Sequence, residues 1–400
     1  MHQVLEPLGY HHQVARRLRQ VEPATWSAFA SMLGGAADRL PEPAPDPDQA
    51  AELHGVLART AYRLDESAYP GVHAAARRAA SALEIDVPIG VHQLEGSTGA
   101  SATLHHLPGE VVITLGGNLL ELLSDDELCA VLGHELAHRA LWTAEDGAYL
   151  VADRLLEALV VDARTPPAFL ETARRWSLAT ELFADRGALR ACGDLGVTVS
   201  ALAKVATGLS VVDAAAYLVQ ASAASPEAGS LRGSHPETVL RAWALERWSI
   251  EENDRGVRLL LSPGIDLDRL DLIDQQRLEL LTRRLVGAAV ASPELRGDAV
   301  VGHARRFFPD LEPSTVIDPP GDDVLTASTR RYLAYVLLDL ATIDPDAGDP
   351  ELLAALRLAD RHGLRAGLAE AIEREGVVGR RGLAGLLSAA APAPTGAVPG

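Results

Sequence analysis

Along the chain, apolar positions fall into a helical period, then briefly into alternation, then into a helical period again. Val14, Leu18 and Val21 recur at helical spacing and predict one or two helices within residues 11–40. The run Pro41-Glu42-Pro43-Ala44-Pro45-Asp46-Pro47 has proline at alternate positions, which forbids a helix and predicts an extended spacer over 41–48. A helix rich in alanine and arginine resumes near Gln49 and runs, with a break at Pro70-Gly71, to about Leu83. Val87, Ile89 and Val91 then alternate with smaller or polar residues. Residues 100–104 and 111–115 are extended segments on either side of a turn written His105-His106-Leu107-Pro108-Gly109. Almost everything beyond is helical in pattern: 267–291 as one helix, 309–323 as a connector, and 332–362 as a helix–turn–helix pair. Residues 389–400 carry prolines among alanines and glycines and predict a disordered tail. The fold class expected is α+β, mostly α, with a small antiparallel sheet followed by an all-α C-terminal region.

Composition narrows the function classes. Apolar residues make up 48% of the 400, which excludes a fully disordered chain. The charge balance, 36 − 55 = −19, argues against nucleic acid or an anionic membrane surface as partner, since both need clustered positive charge. Two cysteines, Cys129 and Cys192, are too few for a disulfide framework or a thiolate zinc site. The apolar window 149–161 is broken by Asp153, Arg154 and Glu157, so no integral membrane segment is expected. Residues 1–20 have no apolar run that would serve as a signal sequence. The expectation is a cytoplasmic protein with reduced thiols.

Residues 124–139 carry the chemistry. Ser124 followed by Glu127 is a capping box, and Asp125 and Asp126 add negative charge at the positive end of the helix dipole, so a helix starts at Asp125. Leu128, Val131, Leu132 and Leu136 give it a buried face. His134 and His138 lie four apart on one face, one turn above the other, where two imidazoles can grip a single metal ion. Glu135, a quarter turn away, can reach water at that ion without becoming a ligand. Neutral imidazole suits zinc, and a carboxylate is a competent base near neutral pH. Burying two histidines and a glutamate together is costly unless they coordinate or pair.

A tetrahedral catalytic zinc needs a third protein ligand and one open position. Residues 138–144 contain neither the glycine nor the third histidine of the H-E-x-x-H-x-x-G-x-x-H arrangement, so the ligand comes from elsewhere. Glu181 is the best-placed residue, in Thr180-Glu181-Leu182-Phe183-Ala184-Asp185-Arg186 on a second helix running from about Glu171 to Ala191 and ended by Gly193. Asp185 is one turn beyond it on the same face and suits a carboxylate that accepts a proton from a liganding histidine.

The order of a strand, Thr114-Leu115-Gly116-Gly117-Asn118-Leu119-Leu120, the Ser124-Asp125-Asp126-Glu127-Leu128 cap, an H-E-L-A-H helix and E-x-x-x-D resembles the HtpX and CAAX-prenyl-protease family of zinc metallopeptidases, which are gluzincins. The likeness runs from about His54 to Leu245 and implies a zincin-like domain. It implies His134, His138 and Glu181 as ligands of one Zn2+ per chain, Glu135 as the catalytic glutamate and Asp185 as the outer carboxylate. The family also has a histidine–proline motif followed by an arginine. Gly233-Ser234-His235-Pro236 with Arg241 is similar to it, and the resemblance implies a catalytic, oxyanion-stabilising role for His235. This chain departs in having no membrane span and in carrying Gly99-Ala100-Ser101-Ala102 where the family often has Asn-Ala-x-Ala. The edge strand there is expected to pair with an extended substrate backbone, with side-chain preferences of its own.

The expected domains are an N-terminal helical segment (1–40), the proline-rich linker (41–48), a zinc metallopeptidase domain (49–248), a helical C-terminal domain (249–388) and the tail (389–400). Residues 325–388 are similar to the TerB-like helical domain and offer a surface to a protein partner. The function expected is a soluble zinc metalloendopeptidase acting on peptide or protein substrates through a zinc-activated water and a glutamate general base. The alternatives are a non-catalytic zinc-stabilised scaffold and an aminopeptidase on the same framework. His105-His106 are expected in an exposed turn, and Cys129 in the core. Asp344, Asp346, Asp349 and Glu351 lack the spacing of a calcium loop and are expected to cap a helix. Residues 1–48 or the C-terminal half are the candidates for a cover over the cleft, the proline spacer suiting a mobile N-terminal one.

Overall fold

The computed structural model describes residues 5–32, 47–107, 109–224, 237–251, 255–261, 264–312 and 325–390. The chain divides into two compact units, Met1–Pro263 and Gly264–Gly400. In the first, α1 (Gly9–Val21), α2 (Pro23–Met32) and α3 (Pro47–Thr60) precede β1 (Ala61–Arg63) and α4 (Pro70–Ala82). The strands β2 (Ile89–Leu94), β3 (Ser101–Leu107) and β4 (Glu110–Gly116) follow, then α5 (Leu119–Leu122), α6 (Asp125–Thr143), α7 (Ala148–Val160) and α8 (Pro167–Cys192). Helices α9 (Leu195–Thr207), α10 (Ala214–Ala223), α11 (Thr238–Glu251) and α12 (Arg255–Leu261) complete that unit. The second unit holds α13 (Leu272–Ala291), α14 (Asp298–Phe307), α15 (Ala327–Thr342), α16 (Asp349–Arg361), α17 (Arg365–Arg374) and α18 (Arg380–Ala389). The fold is α+β and mostly helical. Among the described residues no helix is long and apolar enough to cross a membrane.

The sheet has the order β1-β2-β4-β3 and is mixed rather than purely antiparallel. β3 and β4 form the expected antiparallel hairpin, with Leu104 opposite Ile113. β2, however, runs parallel to β4, with Val91 opposite Ile113. The chain leaving β2 crosses to the far side before β3, so β4 returns between them in the direction of β2. β1 was not expected: only three residues long, it pairs antiparallel to the end of β2, and the helix read through 49–83 is interrupted there by strand and loop. His105 and His106 lie within β3, not in the turn, because the antiparallel ladder runs on to Leu107 opposite Glu110. Pro47, assigned to the spacer, instead opens α3, a position where proline's missing N–H costs nothing. Residues 41–46 of that linker, 391–400 of the tail and most of the 309–323 connector lie outside the described residues.

One sheet face presents Val91, Leu104 and Ile113 to the interior. α6 lies against this sheet beside β3 and is crossed by α8. Ser124 caps α6 by accepting from Glu127 N–H, while the Glu127 carboxylate accepts from Ser124 N–H at 2.8 Å. That carboxylate is also held by Lys204 Nζ at 2.8 Å and Ser200 Oγ at 2.6 Å, which ties the start of α6 to α9. α8 begins at Pro167 and ends at Gly193, whose positive φ of 76° is the left-handed stop that glycine adopts without strain. α6 and α8 touch backbone to backbone: a methyl at Gly133 would run into Ala191, and one at Gly187 into Ala137.

The helical unit packs Leu337, Leu356, Leu368 and Ile372 into its own core. Of the acidic residues expected to cap a helix, Glu351 reaches the start of α16 and Asp344 closes the turn before it. Asp346 N–H donates to Asp344 Oδ1 at 3.0 Å, and Gly348 N–H donates to Glu351 Oε2 at 2.8 Å.

Candidate metal centre

α6 and α8 bring three donor groups to one point. His134 Nε2 is 3.6 Å from Glu181 Oε2, and His138 Nε2 is 3.8 Å from Glu181 Oε1. One ligand atom from each residue lies within 4.8 Å of the other two. A tetrahedral zinc with bonds of roughly 2.0–2.2 Å separates its ligand atoms by roughly 3.3–3.6 Å, so the imidazole–carboxylate distances fit such an ion with little movement. The set of two neutral nitrogens and one carboxylate oxygen is the donor chemistry a catalytic zinc takes.

Outer groups orient these donors. His134 Nδ1 is 3.1 Å from Asp185 Oδ1 and donates to it, which leaves Nε2 bare and aimed at Glu181. Asp185 is in turn clamped by Arg241 of α11, with Nε to Oδ2 at 2.8 Å and Nη2 to Oδ1 at 2.5 Å. Arg241 Nη1 also stands 3.3 Å from Glu181 Oε2. Burial opposes the charge on Asp185, but the Arg241 guanidinium and the bond from His134 outweigh it and hold its carboxyl below the usual range. His134 would be lowered by burial, yet the Asp185 bond and the Glu181 charge raise it. Among the described residues no carboxylate hydrogen-bonds His138 as Asp185 does His134, and the Glu181 charge facing it is outweighed. Burial, with His134 beside it, pushes it down to about 4, so it is a neutral donor.

Glu135 lines the same cavity as the donor trio. Its Oε2 accepts the Leu104 N–H at 2.9 Å, and burial raises its carboxyl above the ordinary value. That bond shows that Leu104 N–H points away from β4, and residues two apart in a strand point the same way, so Ala102 also presents its backbone groups to the open edge. β3 is the last strand of the sheet on this side. A cavity of about 680 Å3 runs along this edge. Its walls include His134, Glu135, His138 and Glu181, together with Val131 and Trp142 of the same helix as the histidines.

Of the residues singled out in the sequence, His134, Glu135, His138, Glu181 and Asp185 come together. His235 lies outside the described residues. Arg241, noticed only as the companion of His235, is the missed participant, since it bridges Asp185 and Glu181. Its signal in the sequence was its place after the third acid, which does not separate it from a solvated helical arginine. Cys129 is buried, as expected. His106 Nδ1 accepts from Arg139 Nη1 at 2.9 Å, and His105 Nε2 is 3.2 Å from Thr114 Oγ1, so both histidines serve packing within and beside the sheet. Of the segment 1–48, none of the described residues 5–32 lines the cavity, and α1 packs on α7 and α8.

Residues 70–249 match Peptidase family M48. The chain is similar to plastoglobule-localized metallopeptidase 48, a chloroplastic protein of Arabidopsis thaliana, at 36% identity over 160 residues, 34% of this chain and 45% of that protein. It therefore spans less than half the length of that relative. No solved structure matches the chain.

Proposed function

We propose that this chain, which carries a Peptidase family M48 domain over residues 70–249, is a zinc-dependent endopeptidase acting on extended stretches of peptide. The observation that carries the reading is the convergence of His134, His138 and Glu181, with Glu135 beside them and an unpaired strand edge alongside. A zinc ion held by those three side chains would act as a Lewis acid on the scissile carbonyl and make water acidic enough to ionise near neutral pH.

The chain's own groups do the rest. Glu135 takes the proton of the attacking water at its carboxylate and hands it to the departing amine, a role that suits a carboxyl raised by burial. Ala102 N–H and C=O on the free edge of β3 pair with the peptide backbone and hold it extended across the site. Asp185 keeps the His134 proton on Nδ1, and Arg241 keeps Asp185 charged. On α6 the cavity is lined both before the histidine pair, at Val131, and after it, at Trp142, which supports cleavage within a chain over removal of a terminal residue. A purely structural metal site would have no use for Glu135 beside it, which favours an enzyme over a scaffold. Cys129 and Cys192 are both free, in keeping with a reducing compartment such as the cytoplasm.

The test is Glu135→Gln, which keeps the shape and removes the base. The variant is expected to bind zinc as the wild type does and to lose peptide hydrolysis by about 10²–10⁴-fold. Casein turnover with and without a chelator, beside metal analysis of both proteins, reads the two quantities separately. Undiminished hydrolysis in Glu135→Gln would refute the mechanism.

A further inference from the structure

Helix α1 lies outside the family-matched residues, yet it packs directly on the helix that bears Glu181. His11, Val14, Ala15 and Leu18 form its buried face. His11 is wholly enclosed, its ring centroid 4.8 Å from Trp176 and 6.1 Å from Phe183 on α8, and 5.9 Å from Tyr149 on α7. Its Nδ1 accepts the Leu8 N–H at 3.2 Å, which places the ring proton on Nε2. That nitrogen lies 3.3 Å from Thr180 Oγ1 and donates to it. Burial first, then the charges of His12 and Arg186, push the imidazole down to about 3, so the neutral donor is the form present in the fold.

Thr180 is the residue before Glu181 and lines the cavity. α8 is therefore gripped from two sides. In front, α6 meets it closely, Gly133 seating the Ala191 methyl and Gly187 the Ala137 methyl. Behind, α1 presses on Trp176, Thr180 and Phe183. A metal site tolerates displacements of only about 0.5 Å, so what backs α8 also decides how well Glu181 meets the two imidazoles.

We propose that α1 is the backing of the metal centre, with His11 a positioning residue that fixes Thr180 and thereby sets where Glu181 meets His134 and His138. The inference rests on the metal-site reading above. Its test uses the full chain and reads zinc affinity by competition with a coloured chelator, independently of turnover. His11→Phe keeps a ring and removes the donor; Thr180→Val keeps the shape and removes the hydroxyl. Each is expected to weaken zinc binding about tenfold, within the range that outer partners of metal ligands contribute. The double variant should be no weaker than either single one, because both break the same link. His11→Gln, which can still donate, should recover part of the loss.

Zinc affinity within twofold of the wild type in both single variants, or losses that simply add, would overturn the proposal and leave the metal centre standing. A wild-type chain that binds no zinc would instead overturn the metal reading, and this inference with it. If His11→Phe does not fold, Thr180→Val against the wild type decides the matter alone.

Discussion

Asp185 is held on both sides, by His134 Nδ1 at 3.1 Å and by two nitrogens of Arg241. It has 1% of its surface exposed, so its charge survives only because those partners replace water. Converting it to asparagine keeps the size and removes the charge that fixes the imidazole tautomer. Asp185→Asn is expected to weaken zinc binding by about 10–100-fold while leaving the proposed ligands in place, as chelator competition would measure. The four-residue spacings His134–His138 and Glu181–Asp185 were legible because a helix converts them directly into shared faces. Arg241 was not, because its meaning depends on α11 returning to α8 across 56 residues of chain, and no local pattern encodes that return. The Leu104 N–H was equally hidden, since a backbone donor leaves no mark in the residue type.

At the scale of elements, the start of α6 and the end of α8 were readable from their punctuation, the Ser124–Glu127 box and Gly193. What joins the two helices was present in the sequence as small residues and went unread. Gly133 and Gly187 have no space for a side chain against Ala191 and Ala137, and this close approach sets the distance between the histidines and Glu181. Gly187→Val is expected to force the helices apart, costing about 1–3 kcal/mol of stability as overpacked cores do, and to weaken metal binding with it. Denaturant unfolding of the metal-free protein isolates the first effect from the second. The parallel pairing of β2 with β4 was illegible for a related reason: alternation reveals a strand but not its neighbour or direction. β1, at three residues, is too short for alternation to register.

At the scale of the molecule, the unit Met1–Pro263 joins the family-matched residues 70–249 to helices that precede them, and its site depends on contacts between distant stretches. His11 and Thr180 are 169 residues apart, and His134 and Asp185 are 51 apart. Periodicity and punctuation predicted α6, α8 and the β3–β4 hairpin, while the order in which the elements pack emerged only in three dimensions. The proposed chemistry depends on a single divalent ion held between α6 and α8. The direct measurement is a zinc-edge anomalous difference map from crystals of the wild-type chain grown with zinc. One peak is predicted, within about 2.0–2.2 Å of His134 Nε2, His138 Nε2 and a Glu181 carboxylate oxygen. A map with no peak there, or with zinc held by other residues, would contradict it.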